Sequence, residues 1–342
     1  MAGIAEMMTN ERRRLRAGQL SVPRSTTWPE LDEHLGGGMR PGLYVLTGDP
    51  KAGKSALATY LTVQMALDNK YEVCGVAAHF AYESLELSES HVLSRALSMA
   101  SYELDELEPF PWPDYERLMV EGGVTEDGPI GRAAKWYADN LDESVTEIDV
   151  THRTGKTVGL LGVVDDGTLY FEKERENYSN VRYRPLHDSD IEALGQPVSW
   201  GDWGENVWDH PYTEDSALVV IDYLQLVGVA EFGEESDVYR RTNKVVDYLK
   251  RAACPILAIS EQNRTALRST AKNGGRYGAS GSGRIEYAAN AALRLELVRD
   301  EGEAGRVVAL HVDLSRYGTP TRDSPIYLRY LPRYNVFTPL DA

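Results

Sequence analysis

The stretch Leu43-Tyr-Val-Leu-Thr-Gly-Asp-Pro-Lys-Ala-Gly-Lys-Ser55 decides how the rest of the chain is read. An apolar, strand-like run from Leu43 to Leu46 feeds Gly48, Asp49, Pro50, Lys51, Ala52, Gly53, Lys54 and Ser55, and helix-forming residues from Ala56 to Ala66 follow. This is G-x-x-x-x-G-K-[ST] between a strand and a helix, the context that gives the pattern its meaning. Gly48 and Gly53 permit backbone angles that turn successive N–H groups inward, Lys54 adds a point charge at the outer phosphates, and Ser55 offers a hydroxyl to Mg²⁺. The eight residues from Gly48 to Ser55 are therefore expected to bind ATP or another nucleoside triphosphate together with Mg²⁺.

Asp222 supplies the second half of such a site. It closes Ala217-Leu-Val-Val-Ile-Asp222, an apolar run that reads as a strand covered on both faces. Its carboxylate falls at the carboxyl edge, where α/β sheets bind their ligands, and beside a phosphate loop it is expected to hold Mg²⁺, mostly through water. A second buried strand, Pro255-Ile-Leu-Ala-Ile, ends in Ser260-Glu-Gln262. From Gln262 to Ile285 the chain carries Arg264, Arg268, Lys272, Arg276 and Arg284 with five interspersed glycines and no acid. A flexible basic loop at an ATPase edge suits reversible grip on a phosphate backbone, mainly through Arg268, Lys272, Arg276 and Arg284.

Composition bounds the alternatives. At 342 residues the chain can bury a sizeable core. Cys74 and Cys254 both lie in apolar runs and read as buried thiols of a reducing compartment. No apolar run approaches the ~20 residues of a membrane span, and Glu6 followed by Glu11-Arg-Arg-Arg14 does not resemble a secretory leader. The expectation is a cytoplasmic protein with no membrane partner. The net charge of −17 is unevenly spread: residues 101–215 hold 27 acidic and 9 basic side chains, leaving 26 and 27 elsewhere. The acidity belongs to one segment and does not exclude a nucleic-acid partner for the rest.

Within that segment, residues 157–164 and 168–172 flank Asp165-Asp-Gly167 and form a predicted β-hairpin. The organisation expected is an N-terminal helix and linker over 1–22, core over 23–151, an acidic insertion over 152–212, and core again over 213–342. Aromatic content, including Trp200, Trp203 and Trp208, argues that the insertion folds. Other predicted elements are a strand at Val73–Phe80, helices at Glu89–Ala100 and Asp237–Ala253, and strands at Ala292–Val298 and Val307–Val312.

Several stretches carry a family resemblance: Leu31-Asp32, Gly36-Gly37 and Pro41-Gly42 before the cradle, Ser84-Leu-Glu-Leu-Ser88, Ile221-Asp-Tyr-Leu-Gln225, and Arg316 in Asp313-Leu-Ser-Arg-Tyr-Gly318. Over residues 24–100 and 216–340 the chain resembles the RecA-like ATPases of the DnaB-type replicative hexameric helicases, in a compact, phage-like form without the N-terminal helical domain. The resemblance implies an α/β fold, a P-loop core with a mainly parallel central sheet flanked by helices. It implies that Glu86 activates the attacking water, with Glu83 competing from the strand side. Gln262 would sense the γ-phosphate, although the family's Ser-Gln is Ser260-Glu-Gln here. Arg316 would reach a neighbouring subunit's nucleotide, and the family lysine two residues earlier is Leu314. The function implied is a homo-hexameric helicase, with Lys54, Glu86 and Arg316 catalytic, moving on single-stranded DNA in replication. Two other readings stay open: a RecA/RadA-like recombination or annealing filament, and a nucleotide-switched protein that docks a partner through the acidic insertion.

Overall fold

Six parallel strands at the centre of a ten-stranded sheet organise the described residues, which in this computed structural model are 23–67, 78–85, 87–104, 109–121, 125, 128–140, 146–153, 161–163, 169–171, 178–182, 216–227, 238–260, 283–322 and 324–340. In chain order the strands are β1 (Gly42–Gly48), β2 (Ala78–Ser84), β3 (Thr146–Arg153), β4 (Leu161–Val163), β5 (Leu169–Phe171), β6 (Tyr178–Arg182), β7 (Ser216–Asp222), β8 (Pro255–Ile259), β9 (Ala291–Asp300), β10 (Arg306–Ser315), β11 (Ile326–Leu331) and β12 (Val336–Pro339). The helices are α1 (Pro29–Leu35), α2 (Lys54–Leu67), α3 (Glu89–Leu104), α4 (Tyr115–Val120), α5 (Pro129–Asn140), α6 (Val238–Leu249) and α7 (Gly283–Ala288).

Across the main sheet the order is β12-β11-β10-β9-β1-β8-β7-β2-β3-β6. Strands β9, β1, β8, β7, β2 and β3 run parallel, while β10 to β12 and β6 extend the two ends antiparallel. β1 and β8 are buried at every position because helices cover both faces of the sheet. On one face Tyr44, Leu46, Leu218, Val220, Leu257 and Ile259 pack with α2, whose own buried residues run nearly all round the helix. On the other, Leu43, Val45, Val219, Ile221, Ile256 and Ala258 pack with Val245, Val246 and Leu249 of α6 and Ile285 of α7. α3 and α5 add a smaller cluster around Phe110, joined to the β11–β12 turn where the Trp112 ring N–H donates to the Pro332 carbonyl at 2.7 Å.

β4 and β5 form the predicted hairpin, Leu161 opposite Phe171 and Val163 opposite Leu169. β2 differs from its predicted span: the described strand continues to Ser84, held there by pairing with β3 on one side and β7 on the other. The leading helix expected over residues 3–18 lies outside the described residues.

Candidate functional site

The carboxyl ends of β1, β8, β7 and β2 meet at one edge of the sheet, and the two motifs meet there with them. Between β1 and α2 the chain turns through Gly48 and Gly53, with φ of 148° and 99°. Both glycines are required for space as well as angle. A Cβ at Gly48 would lie 2.1 Å from the Leu295 carbonyl oxygen, and one at Gly53 would lie 2.7 Å from the Tyr330 ring. That ring cannot easily yield, because it stacks on Phe337 at 4.3 Å between centroids and an interplanar angle of 7°.

The antiparallel extension grips the variable positions of the loop. Asp49 donates its N–H to the Leu295 carbonyl at 3.0 Å and accepts the Leu297 N–H on Oδ2 at 3.1 Å. Arg306, at the start of β10, donates to the Lys51 carbonyl at 2.9 Å and pairs with Asp300 at 3.1 Å. Lys51 itself has φ 64°. Lys54 Nζ donates to the Gly48 and Asp49 carbonyls, each at 3.0 Å, so the ammonium sits inside the turn it is expected to serve. Pro50 and Ala52 complete the loop, with Ala52 fully buried.

Asp222 ends β7 directly across from Ser84 at the end of β2. It is 1% exposed. Burial pushes its pKa above the ordinary carboxylate value, against the hydrogen-bonding hydroxyls of Ser55 and Tyr82 and the charges of Arg95 and Lys54. Oδ2 accepts the Tyr82 hydroxyl at 2.8 Å, whereas Oδ1 is buried without a hydrogen-bond partner among the described residues. An unpaired buried carboxylate oxygen is expensive unless something else is meant to meet it.

This arrangement fits Mg²⁺. The ion keeps several waters and takes few protein ligands beside phosphate oxygens, so one hydroxyl (Ser55) and one carboxylate (Asp222) are a sufficient donor set. Among the described residues no group of three or more His, Cys, Asp or Glu side chains converges as a metal cage.

The other expected residues fall in different places. Glu83 lies within β2 opposite Ile221, one position before the Ser84–Asp222 pair. Glu86, Gln262, Arg268, Lys272 and Arg276 lie outside the described residues, and Arg284 belongs to α7. The approach to that loop is described: Gln225, just beyond Asp222, donates from Nε2 to the Ser260 hydroxyl at 2.7 Å, linking the ends of β7 and β8.

Arg316 is at the far edge. Its N–H donates to the Asn290 carbonyl, and the Asn290 N–H donates to the Leu43 carbonyl near the start of β1. Five strand positions separate Leu43 from Gly48, about 17 Å at ~3.4 Å per residue. The exposed guanidinium donates to the Tyr287 carbonyl at 2.9 Å and faces away from this chain's own phosphate loop. Sequence reading missed Tyr82, Arg306 and Tyr330. Only the strand order, which sets β2 beside β7 and folds β9 to β11 over the loop, brings them to the site.

No protein-family model matches the sequence, and no curated protein sequence matches it. Two solved structures share its fold. One is a phage ATPase domain, with 17% identity, a TM-score of 0.62 and full coverage of both chains. The other is a DnaB-like replicative helicase whose structure was described with its interactions with primase, with 16% identity, a TM-score of 0.59, and coverage of all of this chain and 68% of that one. The chain therefore has the RecA-like α/β fold of the DnaB-type ATPase domains. No described helix is long and apolar enough to cross a membrane.

Proposed function

We propose that this chain is a Mg²⁺-dependent nucleoside triphosphatase that assembles head to tail into a ring and moves along single-stranded DNA, separating duplex as a replicative helicase does. The observation that carries the reading is the pairing of a glycine-built cradle with Asp222 at one edge of the sheet while Arg316 stands at the opposite edge. Half of a catalytic set faces its own nucleotide, and the remaining cation faces outward. A head-to-tail neighbour brings that outward edge to the next cradle.

In this reading the loop N–H groups and Lys54 hold the triphosphate. Ser55 and Asp222 would hold Mg²⁺, which neutralises charge on the phosphate oxygens. A carboxylate just beyond β2, Glu86 or the strand residue Glu83, orients the attacking water and takes its proton. Arg316 stabilises charge on the transferred phosphoryl of the neighbouring site, a contribution of ~10³ to 10⁵ in rate where such arginines have been measured. Arg268, Lys272, Arg276 and Arg284 contact the DNA backbone, and Gln262 reports the γ-phosphate to that loop. The fold shared with the phage ATPase domain and with a DnaB-like replicative helicase supports this assignment.

The test is unwinding of forked DNA with ATP and Mg²⁺, using Lys54→Ala as control, alongside mass measurement of the assembly on single-stranded DNA. Strand separation that needs Lys54 supports the proposal; a verified ring that hydrolyses ATP and separates no strands refutes the helicase function. An arginine directed at a neighbour serves a closed ring and an open helix equally, which favours one second reading, a RecA/RadA-like filament. Electron microscopy with a non-hydrolysable nucleotide and DNA distinguishes closed rings from filaments.

A further inference from the structure

The sheet gives Asp222 a neighbour that no phosphate-loop motif contains. β2 and β7 are adjacent and parallel, with Tyr82 paired to Val220 and Ser84 to Asp222. Tyr82 therefore starts two positions short of the carboxylate, and its ring spans that offset to reach it. The side chain is 1% exposed and packs in the core face shared with α2. Its hydroxyl donates to Asp222 Oδ2 at 2.8 Å and lies 3.4 Å from the Ser55 carbonyl oxygen in the first turn of α2. One buried phenol thus touches the residue that ends β7 and the backbone of the residue that ends the phosphate loop.

We propose that Tyr82 is a positioning residue for the metal-holding carboxylate: by occupying Oδ2 it fixes the rotation of the Asp222 side chain and leaves Oδ1 as the oxygen presented to a divalent cation. This rests on the nucleotide-binding reading above. The terminal torsion of an aspartate is broad and nearly two-fold, so a lone carboxylate at a strand end presents its oxygens in no preferred order. A single O–H donor removes that equivalence, as outer-shell partners of metal ligands commonly do. Burial and the neighbouring Asp222 charge push the Tyr82 pKa well above its ordinary value, so the phenol remains a donor throughout the working pH range. Without it the carboxylate turns toward the Ser55 hydroxyl, the other group expected to meet the cation.

The experiment uses the full chain, ADP and Mn²⁺ as probe, with free Mn²⁺ read from its electron paramagnetic resonance signal. Tyr82→Phe is expected to weaken Mn²⁺ binding in the presence of ADP about tenfold, the lower end of typical outer-shell effects. ADP affinity in EDTA should stay that of the wild type, and Tyr82→Phe should weaken Mn²⁺ no further in an Asp222→Asn background. Equal Mn²⁺ affinity in wild type and Tyr82→Phe overturns the proposal, as does an equal loss in both backgrounds. If the wild type itself binds neither ADP nor Mn²⁺, the nucleotide reading fails and takes this one with it; wild-type binding that Tyr82→Phe leaves untouched removes the Tyr82 role alone. Should the phenylalanine variant not fold, 4-aminophenylalanine and 4-methylphenylalanine at position 82 offer equal shape with and without a donor. Stronger Mn²⁺ binding by the amino form is expected, and equal binding by the two refutes the assignment.

Discussion

Replacing Asp222 by Asn should make the nucleotide-free protein more stable at neutral pH while ending hydrolysis. The side chain is 1% exposed, with one oxygen satisfied by Tyr82 and the other unpartnered among the described residues. Leaving a buried polar atom unpaired costs about 1–3 kcal/mol, and more for a charged group. Asparagine keeps a carbonyl oxygen for the Tyr82 hydroxyl and removes the charge, recovering about 1 kcal/mol of that cost. A gain of that size raises Tm by about 2 °C in a chain this long. The pH dependence has a definite sign. Burial holds the Asp222 pKa in the folded state above its ordinary 3.8, so folding favours the protonated form. The corresponding stability is present below the unfolded pKa and is lost as pH rises through the folded value. The Tm of Asp222→Asn should therefore match that of wild type at the acid end and pull ahead as pH rises. Saturating Mg²⁺ and ADP should invert the order, since a ligand at a hundred times its Kd stabilises by about 2.7 kcal/mol and the variant captures less of it. Calorimetry from pH 4.5 to 8, with and without Mg²⁺ and ADP, measures each quantity. A variant that melts below wild type at pH 8 without metal, or a gap that ignores pH, would refute the reasoning.

Gly53→Ala should lower triphosphate affinity at least tenfold in a fluorescent-analogue titration, because φ of 99° costs a non-glycine residue about 1–2 kcal/mol and the new Cβ meets the stacked Tyr330 ring. Arg316→Ala should reduce kcat by about 10³ with nucleotide affinity unchanged. Mixing it with Lys54→Ala subunits should restore part of the activity, and steady-state ATPase assays on mixtures that never recover would count against a role in trans. Asn335→Ala removes a buried donor to the Ala56 carbonyl at 3.2 Å and should cost about 1–3 kcal/mol in urea unfolding, since that carbonyl belongs to the opening turns of α2.

The site's centre was legible because its residues are close together in sequence. Gly48 to Ser55 carry their own strand and helix, and Asp222 closes an apolar run whose burial on both faces the residues themselves announce. The hairpin was legible for the same reason, its strands being separated by a short polar turn. What lay beyond reading depended on strand order. Tyr82 looks like one more aromatic in a short apolar run until β2 is set beside β7. β11 and β12 alternate buried and exposed positions over only six and four residues, too short to stand out against the loops around them. They nonetheless carry Tyr330 and Phe337, which shape the wall beside Gly53. Asp49 and Lys51 occupy variable positions of the motif, yet their backbone and side-chain partners come from β9 and β10, about 250 residues away.

The sheet order also has a consequence for biosynthesis. β1 pairs on one side with β8, Gly42 opposite Pro255, and on the other with β9, Tyr44 opposite Ala291. At translation speeds of ~5–20 residues per second, the strand that will carry the phosphate loop leaves the ribosome roughly 10–40 s before either companion exists. Through that interval a fully apolar segment has no native edge to join, so the nascent chain should engage chaperones early and release them only once its last third has been made.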